Sequence, residues 1–191
     1  MATFSLSYDI YTQAMMVYLL PFNEVEEGLL SHLQKELSKV AGASVRVGAS
    51  LPIPGNSYHP WRRQYLADPF LEALPQGGVD IRYLGLVDED LYVPGLNFVF
   101  GVADPDRGRA IVALARLRQE FYGLELVKEL FYERSLKEVV HELGHTWALS
   151  HCPDPRCVMH FSNSLHDTDR KGSRFCERCW QKLTPLLGGE R

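Results

Sequence analysis

The sequence has little that would take it to a membrane or to nucleic acid. Its longest apolar runs, "MMVYLL" (15–20) and "NFVFGVA" (97–103), fall far short of the about 20 residues a bilayer-spanning helix needs. Positive charge is not in excess: 20 Lys and Arg stand against 24 Asp and Glu, a formal net charge of -4. With no basic face in the pattern, nucleic acid and acidic membrane surfaces are not expected partners. There are no repeats, no low-complexity tracts and no long block of one charge. At 46% hydrophobic and 23% charged residues, the chain has the composition of a packed core rather than of a disordered one. The start "MATFSLSYDIYTQ" lacks a basic segment followed by a long apolar one, so no signal peptide is expected and the expected location is the cytoplasm. Cysteine is missing from the first 151 residues; all four lie in the last 40, at Cys152, Cys157, Cys176 and Cys179. A length of 191 residues suits one domain, or one domain divided into two lobes by a cleft.

What is present is a mixed pattern of helices and strands. "MMVYLLPF" reads as a buried strand or part of a helix. Residues 23–40 carry Val25, Leu29, Leu30, Leu33 and Leu37 at helical spacing, with Asn23 as the expected N-cap. "ASVRVG" alternates as a strand does, "LPIPGNSYHPW" is turn material, and "RRQYLADPFLEAL" reads as a helix broken near Pro69. Strands are expected within 79–91, 96–104 and 109–118, separated by "YVPG" and "DPDRG". A helical stretch follows over 124–149, and Ser135 with Glu138 has the capping-box spacing that would open a fresh helix near 135. Beyond Leu149 the chain reads as irregular, with a last short helix after Cys176; Asp167, Asp169 and the run "DRK" read as a solvated loop. The order predicts an α+β fold with a small C-terminal lobe.

The segment "HELGHTWALSHC" (141–152) carries the chemistry. On a helix His141 and His145 lie one turn apart on one face, close enough to share a metal ion. Glu142 between them completes H-E-x-x-H, in which the glutamate acts on a metal-bound water. His151 lies six residues past His145 and would point away on a continuous helix, so it joins the others only if the helix stops and the chain turns back. Three imidazoles leave a position open for water or substrate, the pattern of a catalytic zinc. The spacing follows the metzincin signature H-E-x-x-H-x-x-G-x-x-H, except that Ala148 stands at the glycine. If that position is left-handed, alanine costs about 1–2 kcal/mol, against on the order of 10 kcal/mol for a well-formed zinc site. The site is therefore expected to assemble. Met159, eight residues after His151, suits a methionine turn beneath the histidines, although a methionine is also ordinary core filling.

The cysteines form C-x4-C (Cys152, Cys157) and C-x2-C (Cys176, Cys179), with 18 residues between the pairs. Two close pairs suit a structural zinc held by four thiolates; reduced thiols or two disulfides are the alternatives. Since Cys152 follows His151 directly, fixing that cysteine would also fix the approach of the third histidine.

The runs "KEVVHELGHTWALSHC", "CVMHFSNSLHDTDRK" and "FCERC", together with 87–104, resemble the archaemetzincins, metzincin-type zinc peptidases with a four-cysteine zinc beside the catalytic motif. The matching runs cover roughly a third of the chain. The resemblance implies a metzincin-like fold: a twisted mixed β-sheet with an active-site helix (lobe 1–149) and an irregular lobe (150–191) holding the Met-turn and the structural zinc. It implies His141, His145 and His151 as ligands of a catalytic zinc, Glu142 as general base, Met159 in the Met-turn, the four cysteines as ligands of a structural zinc, and "LNFVFGVAD" as a substrate-pairing edge strand. Two zinc ions per chain, a peptide or small protein substrate and a monomer are expected. Tyr132, Trp147, His160 and His166 are near enough in sequence to be considered for catalysis, but are expected to pack or to face solvent. Two other functions fit the same residues: an inert zinc-binding protein that holds a peptide or partner, and a hydrolase of non-peptide amides or esters.

Overall fold

A computed structural model describes residues 15–185. Strand β1 (Met16–Phe22) leads into helix α1 (Glu27–Ala41) and strand β2 (Ser44–Val47). A small three-stranded sheet follows, built from β3 (Tyr58–His59), β4 (Gln64–Leu66) and, after helix α2 (Asp68–Ala73) and strand β5 (Ile81–Val87), from β6 (Leu91–Tyr92). Next come β7 (Gly101–Asp104), β8 (Arg109–Ala113) and the long helix α3 (Lys128–Thr146), then the short helices α4 (Leu165–Arg170) and α5 (Glu177–Leu183).

The main sheet has the order β2-β1-β5-β8-β7. Its first four strands are parallel, and β7 runs antiparallel to β8 at the edge. Side chains alternate between two apolar layers, which is why these strands read as nearly continuous hydrophobic runs. Val17, Leu19, Leu84, Leu86, Ala110 and Val112 face the layer under α1 and α3; Leu20, Phe22, Val87, Ile111 and Ala113 face the layer under α2. No helix among the described residues is long and apolar enough to cross a membrane.

Several expectations change. Asn23 does not cap α1: it takes a left-handed φ of 53° in the preceding turn, and the helix begins at Glu27. Residues 64–66 pair as β4 instead of belonging to a broken helix, and helix forms only from Asp68, with Pro69 in its first turn, where a missing N–H does no harm. The strand expected over 96–104 shortens to Gly101–Asp104, and that over 109–118 ends at Ala113, where 3-10 turns take over. No new helix starts at 135. Helix α3 is continuous, the Ser135 hydroxyl donates back to the Phe131 carbonyl (2.8 Å), and Glu138 is engaged elsewhere. The "DRK" segment is not a solvated loop either: Asp167 and Asp169 lie in α4 and Lys171 is fully buried.

Candidate active site

His141, Glu142 and His145 occupy the last two turns of α3. The helix then closes with the two hydrogen bonds of a Schellman motif: Leu149 N–H donates to Gly144 O (3.1 Å) and Ala148 N–H to His145 O (2.9 Å). That motif needs a left-handed residue between them, and Ala148 supplies it with φ 58°. The chain reverses there, as the spacing predicts, and His151 comes back onto the face it would otherwise have left. Its ring centre lies 5.4 Å from that of His141 and 4.9 Å from that of His145. One nitrogen of each of the three rings lies within 4.8 Å of the others.

Backbone carbonyls set the orientation of two rings. His141 Nδ1 lies 2.8 Å from Val158 O, and His145 Nδ1 lies 2.7 Å from Leu149 O. A carbonyl only accepts, so both Nδ1 atoms carry the proton and both Nε2 atoms present lone pairs. Those two Nε2 atoms face one another at 3.1 Å. Two lone pairs at that distance repel unless a cation sits between them. In a tetrahedral zinc site with Zn–N of about 2.0–2.1 Å the nitrogens stand about 3.3 Å apart, so this donor set fits zinc. Burial holds His141 down to about pKa 2, helped by the Lys171 charge, and burial lowers His145 and His151 too; all three are neutral, as ligands must be. The Glu142 carboxyl is pushed up to about 8, first by burial and then by Glu138, with Lys171 opposing.

Beside the histidines runs a cleft of about 870 Å³. One wall is the segment 95–103, including the free edge of β7; the other is α3 with the 148–151 turn and Phe161. Two glycines that the sequence pattern did not single out shape this region. A methyl group at Gly101 would meet Glu142 Cγ, Cδ and Oε1 at 2.5–2.6 Å, so edge strand and carboxylate touch because that residue has no side chain. A methyl at Gly144 would strike the Met159 sulfur, and without one the buried methionine packs directly beneath the helix. A glycine inside an apolar strand was the available signal for the first. Of the other residues considered for catalysis, Tyr132 donates to Glu26 (2.8 Å), Trp147 is buried beside Phe175, His160 Nδ1 donates to Cys152 O (2.9 Å), and His166 is exposed. None of them lines the cleft.

The four cysteine sulfurs form a second group, all within 4.8 Å of one another. Cys152 and Cys176 are 3.8 Å apart, as are Cys157 and Cys179. That is too far for a disulfide, with its S–S bond of about 2.05 Å, and it matches the about 3.8 Å edge of a tetrahedron with Zn–S near 2.3 Å. Burial opposes ionisation of Cys152, but the Asp154 N–H and the Arg178 guanidinium bring its thiol down to about 7; burial raises Cys157, and burial together with the Cys157 charge raises Cys179. The protein's own donors thus favour a thiolate at Cys152, and four thiolates this close together need a cation. The cluster is tied to the histidines through the Cys152 N–H, which donates to Met159 O (2.8 Å).

A mixed sheet with an antiparallel edge strand, a helix ending in H-E-x-x-H, a left-handed reversal and a third histidine returned by it define a metzincin-type metallopeptidase. Comparison with known proteins agrees. The model of peptidase family M54 matches residues 76–185. An archaemetzincin of Pyrococcus furiosus is 44% identical over 181 residues, covering 91% of this chain and 94% of its own. The crystal structure of an archaemetzincin from Methanopyrus kandleri superposes with a TM-score of 0.79 at 40% identity, covering 92% and 97%. A zinc-dependent peptidase from Methanocorpusculum labreanum gives 0.81 at 31%, covering 87% and 99%. The chain belongs to peptidase family M54, the archaemetzincins, and is a zinc metallopeptidase of that family.

Proposed function

We propose that the chain hydrolyses peptide bonds in a peptide or small protein, with a catalytic zinc on His141, His145 and His151, Glu142 as general base, and a second, structural zinc on Cys152, Cys157, Cys176 and Cys179. The observation that carries this is the pair of Nε2 lone pairs turned on each other at 3.1 Å. Zinc there supplies Lewis acidity, which lowers the free energy of charge on a scissile carbonyl oxygen and of deprotonating water near neutral pH.

The protein supplies the rest. The free edge of β7 offers backbone groups to an extended chain, which pairs with it as an added strand. Glu142, lodged against Gly101 directly below that edge, is placed beside the bond to be cut. Its carboxylate takes a proton from the attacking water and returns it to the leaving amine. Burial alone favours the protonated acid, and a dication on the neighbouring imidazoles favours the ionised base that the first step needs. Met159, packed against Gly144, is the floor of the histidine site in this reading. The cysteine site, in this reading, ties the 152–157 segment to the 176–179 segment and so orders the chain that follows His151. We further propose a cytoplasmic monomer; a net charge of -4 favours neither nucleic acid nor acidic membranes as partners.

Elemental analysis tests the metals. Two zinc ions per chain in the wild type should fall to one in His141→Ala. One zinc in both proteins would leave the histidine site without metal and remove the catalytic reading. Glu142→Ala should keep both ions and lose cleavage of a peptide library by roughly 10²-fold or more; wild-type turnover in that variant would rule out general-base catalysis by Glu142.

A further inference from the structure

Lys171 is a fully buried lysine, and nothing in the proposed chemistry uses it. Its ammonium lies 3.0 Å from Glu138 Oε1 and 3.5 Å from His160 O. Glu138 is equally enclosed, and the same oxygen also accepts from the Thr168 hydroxyl (3.0 Å). Lysine and glutamate are almost never buried this deeply unless paired, and a buried pair does not in general stabilise a fold more than apolar side chains of the same volume would. What it does impose is geometry: the charges must meet, so the segments that carry them are held in one register.

Those segments are the two halves of the histidine site. Glu138 sits on α3 one turn before Glu142, and three residues before His141. His160 follows Met159, in the turn whose Val158 carbonyl fixes the His141 ring. A single Nζ therefore joins the helix that carries His141 and Glu142 to the turn that orients His141 from the other side. Neighbouring contacts run the same way: the Arg134 guanidinium holds both oxygens of Asp169 at 2.7 Å, and Lys137 donates to Asp169 O (3.3 Å).

We propose that Lys171, through Glu138 and the His160 carbonyl, is a positioning residue for the three-histidine site: it sets the distance between α3 and the 157–160 turn, and so the placement of His141 and Glu142. This rests on the function proposed above. Lys171 itself does not line the cleft, although its partner Glu138 does; its charge also bears on His141 and Glu142, and the double variant below removes that charge together with the opposing one on Glu138.

The test is the double variant Glu138→Gln/Lys171→Met, which removes the ion pair without leaving a lone buried charge. Thermal melting, zinc per chain, chelator competition for each zinc, and kcat and KM on a peptide cut by the wild type are measured in parallel. The expected result is a folded protein that keeps one tightly held zinc, loses tenfold or more in affinity for the other, and loses tenfold or more in kcat with KM within threefold. A double variant with wild-type affinity for both ions and wild-type kcat overturns the proposal and leaves Lys171 a role in the fold only. If the double variant does not fold, Thr168→Val decides. It removes one of the two groups that anchor the shared Glu138 oxygen, and a selective fall of threefold or more in affinity for the second zinc, at an unchanged melting temperature, supports the clamp, whereas no change overturns it. A wild-type protein with one zinc, or with no cleavage of any peptide, would instead defeat the function on which the clamp rests, and that outcome is read from the wild type alone.

Discussion

At the scale of single residues, Ala148 shows how far a local penalty is tolerated. Its φ of 58° puts a Cβ where glycine is at ease. The strain is about 1–2 kcal/mol, offset in part because glycine would have more freedom in the unfolded chain, a difference of about 0.5–1 kcal/mol. Ala148→Gly should therefore raise stability by about 0.5–1 kcal/mol, read as a higher urea midpoint at an unchanged slope, with zinc content unaltered. A lower midpoint would mean that the left-handed turn is not where the structure puts it. The position was legible because the third histidine makes sense only if the helix ends and reverses there. Gly101, Gly144 and Lys171 were not legible in the same way. Each matters through a contact with a distant segment: Glu142, Met159 and Glu138, respectively. No spacing rule connects residues 41, 15 or 33 positions apart, so a lone glycine or lysine carries no mark of its partner.

At the scale of elements, strong periodicity held and local signals were overridden. Helix α1 follows from its apolar spacing and the histidine helix from its motif, whereas the run that forms β1 suited a strand or a helix equally. Ser135 and Glu138 have capping-box spacing, yet both are buried inside α3, where the serine bonds back to Phe131 and the glutamate pairs with Lys171. In the tail the short helix expected after Cys176 forms as α5, whereas α4 read as loop because its six residues are too few to show a period. The meeting of β7 with α3 yields a prediction of its own. Gly101→Ala would bring a methyl within 2.6 Å of the Glu142 carboxyl carbon, so strand or carboxylate must shift. Misplacement by about an ångström is enough to cost about 10²-fold in rate. The variant should keep both zinc ions, melt within a few degrees of the wild type, and lose tenfold or more in kcat. Wild-type turnover would place the working carboxylate away from the edge strand.

At the scale of the whole molecule, the histidine site lies on the seam between the sheet-and-helix part and the tail, and two opposed titrations meet there. In the metal-free protein His141 is held to about 2 against an ordinary 6.5, and Glu142 to about 8 against an ordinary 4.5. Below pH 6.5 the unfolded chain takes up a proton that the folded His141 refuses, so stability falls as the pH falls; at pH 5 the loss from His141 alone is about 2 kcal/mol. Glu142 acts with the other sign. Between about 8 and 4.5 the folded carboxyl keeps a proton that the unfolded one gives up, so stability rises as the pH falls through that window, by a comparable amount from pH 7 to pH 5. Metal-stripped wild type should thus lose stability between pH 7 and pH 5 less steeply than its three histidines alone would dictate, because Glu142 opposes His141, His145 and His151. Substitution separates them. Glu142→Gln, stripped in the same way, should lose stability more steeply than the wild type on acidification, and His141→Gln less steeply, each measured as the change in urea unfolding free energy between the two pH values. Parallel curves for all three proteins would mean that neither group is held in the state its burial dictates. Zinc removes the conflict, since it requires neutral imidazoles and favours an ionised Glu142; the loaded wild type should lose stability toward pH 5 more steeply than the stripped one, as protons displace the ion from its ligands.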